Sequence, residues 1–192
     1  MPAADPPILA VRDLTMRFPG VLALDRVSFQ VRRGEIQALC GENGAGKSTL
    51  IKCLSGVWPY GSYEGTLWVD GQEVRFDGVA AAERAGIAVI HQELALVRDM
   101  TVAENMVLGT EPCRFGLIDW NLVYRRTAEL LARIGLRLDP AAVVGDLGIG
   151  QQQLVEIAKA LSSNPRILLL DEPTAALTET EVGVLLDILR DL

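Results

Sequence analysis

Between residues 8 and 33 apolar and polar positions alternate, in ILAVRDLTMRF and again in DRVSFQVRRG. A period of two predicts antiparallel strands, with turns at Pro19–Gly20 and Arg33–Gly34. IQALC at 36–40 is a short apolar run that predicts a buried strand, and STLIKCLSG after it predicts a helix that Gly56 ends. TLWVDGQEV at 66–74 sets an Asp-Gly pair between apolar stretches, which predicts a hairpin. GIAVIHQ at 86–92 predicts a buried strand. From about Thr101 to Leu138 the spacing turns helical, as in RRTAELLARIGL at 125–136. QQQLVEIAKALSS at 151–163 predicts an amphipathic helix with Leu154, Ile157, Ala158 and Leu161 on one face, stopped by Asn164–Pro165. ILLL at 167–170 predicts a short buried strand. A last helix follows, with Thr178 as N-cap and Glu181 completing a capping box.

The junction between the 36–40 strand and its helix is chemically specific. Residues 41–49 read GENGAGKST and match G-x-x-x-x-G-K-[ST] at Gly41, Gly46, Lys47 and Ser48. Glycines at a strand-to-helix turn let backbone N–H groups close on phosphate oxygens, because no Cβ stands in the way. The helix N-terminus adds partial positive charge. Lys47 can supply a full charge to the β- and γ-phosphates, and Ser48 a hydroxyl to Mg²⁺. The whole segment Gly41, Glu42, Asn43, Gly44, Ala45, Gly46, Lys47, Ser48 and Thr49 is therefore the candidate nucleotide cradle.

The ILLL strand delivers a second element, Asp171–Glu172, at its C-terminal end, where ligands bind in open α/β sheets. Asp171 suits Mg²⁺, through a water, and Glu172 suits the orientation of an attacking water. Taken in order, strands, phosphate loop, strands, helices, strand and helix make an α/β nucleotide-binding core. An antiparallel sheet lies on its N-terminal side, and a helical subdomain is inserted at roughly 94–163.

Composition narrows the class. Apolar residues make up 49% and charged residues 22%, which is ordinary globular composition. A net charge of −7 argues against a nucleic-acid-binding surface. No apolar run approaches the length of a membrane span, and MPAADPP lacks the basic and apolar regions of a signal peptide, so the chain reads as cytosolic. Cys40, Cys53 and Cys113 have no metal-ligand spacing and read as reduced, mostly buried thiols.

The phosphate loop, HQEL at 91–94, LGIGQQQLVEIAKAL at 147–161 and LLLDEPTAALT at 169–178 together resemble the ATPases of ABC transporters. The resemblance covers essentially the whole chain, 1–192, as an N-terminal ABC ATPase domain with a P-loop NTPase core. It is closest to the monosaccharide importers, and GSYEG at 61–65, HQELALV at 91–97 and GDLGIGQQQLVEIAKAL at 145–161 are similar to the xylose members. The resemblance implies ATP and Mg²⁺ as cofactors, with Ser48, Gln92 and Asp171 at the metal and Glu172 and Gln92 catalytic. It implies that Phe18 stacks on adenine, although from the residues alone Phe18 reads equally as a core aromatic. It implies that Gly150, Gln151 and the helix they open meet the γ-phosphate of a nucleotide held by a second nucleotide-binding domain. The partners implied are a transmembrane permease and, indirectly, a periplasmic sugar-binding protein, with no nucleic acid. The place implied is peripheral, on the cytoplasmic face of the inner membrane.

Three departures from the family pattern stand out. Gly148 occupies a position where the family usually has Ser, and Thr178 one where it usually has Asp. The family's γ-phosphate histidine lies beyond the last helix, and the only His here is His91, so the chain reads as incomplete at its C-terminus. Two other classes remain open: a soluble ABC ATPase acting on nucleic acid or ribosomes, and a non-catalytic truncated ABC fragment. The stretch between Gln92 and Gly150 carries neither heptads nor cysteine pairs, which weighs against the first. Intact Lys47, Asp171 and Glu172 weigh against the second.

Overall fold

The computed structural model describes residues 6–91, 94–114, 116–174 and 177–190. In chain order the first elements are β1 (Leu9–Phe18), β2 (Val21–Val31), α1 (Lys47–Leu54), β3 (Glu64–Val69), β4 (Gln72–Val74), α2 (Val79–Arg84) and β5 (Ile87–Ile90). Then come α3 (Val102–Val107), β6 (Cys113–Arg114), β7 (Leu117–Ile118), α4 (Trp120–Arg133), α5 (Ile149–Ser162), β8 (Ile167–Leu170) and α6 (Glu179–Arg190). The chain divides into two compact units, residues 1–89 with 165–171 and residues 90–164 with 172–192.

The first unit is built on an antiparallel sheet of order β2-β1-β3-β4. Its core takes Leu9 and Val11 from β1, then Leu14 and Met16, so the buried phase changes from odd to even. The change is made at Asp13, which has φ 51°. There β1 carries one residue more than either neighbour, the register running Val11↔Phe29 to Leu14↔Val27 and Arg12↔Thr66 to Thr15↔Glu64. Such a bulge turns the next side chains back to the core face. Gly65 makes it possible: a Cβ there would lie 2.6 Å from the carbonyl oxygens of Arg12 and Asp13. The β3–β4 turn is Asp70–Gly71, both with positive φ, as the hairpin signal predicts. Arg33 and Arg166 both pair with the Asp70 carboxylate, and Arg166 also donates to the Ala85 carbonyl at 2.8 Å. α1 packs Leu50, Cys53 and Leu54 into the same core, and β5 pairs with β8.

In the second unit α3 begins at a capping box of Thr101 and Glu104, and α4 is capped by Asp119, whose carboxylate accepts from Leu122 N–H at 3.0 Å. α6 begins as the sequence indicates: Thr178 Oγ1 accepts from Glu181 N–H, and Glu181 Oε2 accepts from Thr178 N–H at 2.9 Å. The segment entering α3 is held by Asn105, which is fully buried. Its amide donates to the carbonyls of Val97 (2.9 Å) and Thr101 (3.1 Å) and accepts from Val97 N–H at 2.8 Å. Asn105→Ala takes the acceptor from Val97 N–H and one of two donors from each of the Val97 and Thr101 carbonyls, which keep Met100 N–H and Asn105 N–H. It is expected to cost about 1–2 kcal/mol, read as a lower urea midpoint at constant slope.

Three expectations are corrected. Residues 36–40 form no strand: Ile36 is 68% and Leu39 49% exposed, and the run has no ladder partner among the described residues. An apolar run becomes a strand only where a neighbour takes its N–H and C=O groups. The helical stretch from Thr101 to Leu138 is broken at 108–119, where Pro112 and Gly116 flank or turn the β6–β7 hairpin. Of the three thiols only Cys53 is buried, and burial pushes it up to about 11; Cys40 and Cys113 are exposed.

Candidate nucleotide site

Gly41–Gly46 connect the 36–40 segment to α1, whose first residues are Lys47, Ser48 and Thr49, and Gly44 and Gly46 each have their own reason. Gly44 has φ 86° in the tight turn at the loop's tip, where Ala45 N–H donates to the Glu42 carbonyl at 3.1 Å. Gly46 has φ 92°, and a Cβ on it would sit 2.3 Å from the Ala23 carbonyl oxygen of β2. It needs glycine for both conformation and space, and in return α1 starts directly under the sheet. Lys47 folds back over the loop: its ammonium donates to the carbonyls of Gly41 (2.8 Å) and Glu42 (3.0 Å). Glu42, Asn43, Gly44 and Ala45 are exposed, while Lys47, Ser48 and Thr49 are half-buried.

Ser48, in the first turn of α1, donates from Oγ to Oδ1 of Asp171 at 3.2 Å. Asp171 follows β8 directly and is only 8% exposed. Two hard oxygen donors, 123 positions apart in sequence, are thus brought side by side beneath the loop. A hydroxyl and one carboxylate suit Mg²⁺, which keeps several waters and completes its octahedron with phosphate oxygens.

The remaining candidates are distributed as follows. Phe18 ends β1 and packs edge-on against Trp58, ring centroids 5.4 Å apart at 62°. It is a partly buried neighbour of the core. Glu172 is exposed and stands at φ 51°, an unusual conformation for a residue with a Cβ. It belongs to the second unit, as do Gly150 and Gln151. Helix α5 starts at Ile149, two residues earlier than the periodicity suggests, so Gly150 lies in its first turn. The Gln151 side chain reaches back, Oε1 accepting from Gly148 N–H at 3.2 Å. Gln92 lies outside the described residues.

Sequence reasoning misses a polar layer on α5. Gln152, Gln153 and Glu156 are all buried beside the apolar stripe. Gln152 donates to the Leu147 carbonyl at 2.8 Å, and Glu156 Oε1 accepts from Ala95 N–H at 3.5 Å. Burial pushes the Glu156 carboxyl above the usual carboxylate range, against the opposing pull of the Ala95 N–H and of Lys159. The available signal is three polar residues set at helical spacing within an otherwise apolar helix.

A profile of the ABC transporter family matches residues 24–175. The chain belongs to that family, whose membership implies a nucleotide-binding domain. Its fold is an ABC-type α/β core. It is 57% identical over 185 residues to the xylose import ATP-binding protein XylG of Geobacillus kaustophilus, a match covering 96% of this chain and 37% of that protein. It is 54% identical over 187 residues to the protein of the same name from Escherichia coli O157:H7, covering 97% and 36%. The chain thus spans a little over a third of the length of the curated relatives it matches. Among solved structures, the ADP conformation of MJ1267, an ATP-binding cassette of an ABC transporter, superposes with TM-score 0.82 at 26% identity. That match covers 96% of this chain and 76% of the other. The cbiO1 protein of Clostridium perfringens, part of the cbiONQ ABC transporter complex, gives 0.79 at 25% identity, covering 97% and 74%.

Proposed function

We propose that this chain is the first ATP-hydrolysing domain of a monosaccharide importer, with D-xylose as the sugar. The observation that carries the ATPase reading is the Ser48–Asp171 contact directly under the Gly41–Thr49 loop. What supports the sugar is identity of 54–57% over nearly the whole chain to xylose import ATP-binding proteins.

In this reading the loop's backbone N–H groups and the N-terminus of α1 receive the phosphates. Lys47 leaves the carbonyls of Gly41 and Glu42 for the β- and γ-phosphates, because a charged oxygen is the stronger acceptor. Phe18 offers its edge of the sheet to the adenine. Ser48 and Asp171, with Gln92, would hold Mg²⁺, which would supply positive charge against the negative charge that develops during phosphoryl transfer. Glu172 orients the attacking water and takes its proton. Gly150 and Gln151 present the N-terminus of α5 to a nucleotide held by a second domain. Closure on ATP draws the permease toward its outward-facing state, and hydrolysis resets it. The subunit sits peripherally on the cytoplasmic face of the membrane; no helix among the described residues is long and apolar enough to cross it.

A strain lacking the gene, supplied with low concentrations of labelled sugars, is expected to lose high-affinity xylose uptake and keep ribose and galactose uptake. Normal uptake of all three rejects the importer role. Loss of ribose or galactose uptake alone rejects xylose and keeps the class.

A further inference from the structure

The first turn of α5 and the first turn of α6 meet at one point. Gly150 is buried, and a Cβ on it would lie 2.1–2.3 Å from the three carboxyl atoms of Glu181. Its φ is not in the left-handed region, so glycine is needed here for space and not for conformation. The carboxylate that fills this space is not free to swing. Its Oε2 accepts from Thr178 N–H (2.9 Å) and from Thr178 Oγ1 (2.8 Å), and this pair caps α6. The carboxylate also lies against the positive end of the α5 dipole, where a negative charge is favoured.

From this geometry we infer that Glu181 is a positioning residue that locks the start of α6 to the Gly150 turn. The functional part of the inference rests on the proposed reading of Gly150 as the turn that meets a second domain's nucleotide. In that reading Gly150 serves a nucleotide held by another domain. One carboxylate, tied by Thr178 and seated on Gly150, therefore fixes the start of α6 against the turn that meets that nucleotide.

The consequence is that Gly150 and Glu181 cannot be changed independently. A methyl on Gly150 can be accommodated only if the Glu181 carboxylate leaves, and it can leave only by giving up the α6 cap. In the full chain, Gly150→Ala and Glu181→Ala are each expected to lower the melting temperature, and the double variant to melt no lower than the worse single one. For ATP turnover the sign should reverse. Glu181→Ala lowers turnover in the parent, but in the G150A background it raises turnover by about three- to tenfold, the size of coupling found between residues in direct contact. Glu181→Gln keeps the shape and the capping box, so it should leave the melting temperature unchanged and give no rescue of G150A. Additive melting shifts, or a double variant whose turnover is the product of the single effects, overturns the link. If Gly150→Ala turns over ATP like the parent while the melting shifts remain non-additive, the nucleotide reading of Gly150 fails and the lock between the helices stands.

Discussion

Glu172→Gln is expected to leave ATP binding intact and to slow turnover by about 10²–10⁴-fold, the usual contribution of a positioned general base. Glu172 directly follows Asp171, the carboxylate that touches Ser48 beneath the phosphate loop. Its backbone is held at φ 51°. A residue with a Cβ in this region persists only where the surroundings impose it, and such residues gather at functional sites. The amide is isosteric with the carboxylate and equally compatible with that backbone, so the fold should be unaffected and the loss should fall on the chemical step. The clean comparison is steady-state turnover beside calorimetric ATP affinity, both on the full chain. Turnover equal to the parent's places the base elsewhere.

Local chemistry makes much of this fold legible in the sequence. The Asp70–Gly71 turn, the Gly56 stop after α1, the capping box at Thr178 and Glu181 and the glycine pattern of 41–49 each depend on residues a few positions apart. What stays hidden depends on partners distant in sequence. Residues 36–40 look like any buried strand, and nothing in IQALC says whether a ladder will receive it. Gln153 and Glu156 look like the wet face of an amphipathic helix, yet α5 is covered on that side as well. Gly150 reads as a ligand-facing glycine, while the contact that requires it comes from Glu181, beyond β8. In the candidate site the pattern marks 41–49 and 171 as candidate donors. Only the folded chain brings Ser48 to 3.2 Å from Asp171 and turns Lys47 onto its own loop.

Lys47→Ala is expected to weaken Mg·ATP binding by about 1.5–3 kcal/mol, roughly one to two powers of ten in affinity, through loss of a charge-assisted contact to phosphate. Two effects combine. The first is the missing ammonium itself. The second concerns the loop: the ammonium spans the carbonyls of Gly41 and Glu42, so it braces the segment whose N–H groups must converge on the phosphates. Alanine removes both, whereas Lys47→Arg keeps a charge and several donors but presents a wider, planar head to a loop closed around a point charge. Arginine is therefore expected to recover only part of the affinity. Since both carbonyls stand at an exposed part of the loop and can turn to water, neither variant should move the melting temperature appreciably. Calorimetry with ATP and with ADP separates the contributions. If the γ-phosphate is a partner, Lys47→Ala loses more affinity for ATP than for ADP; equal affinity of parent and variant for both nucleotides removes Lys47 from the site.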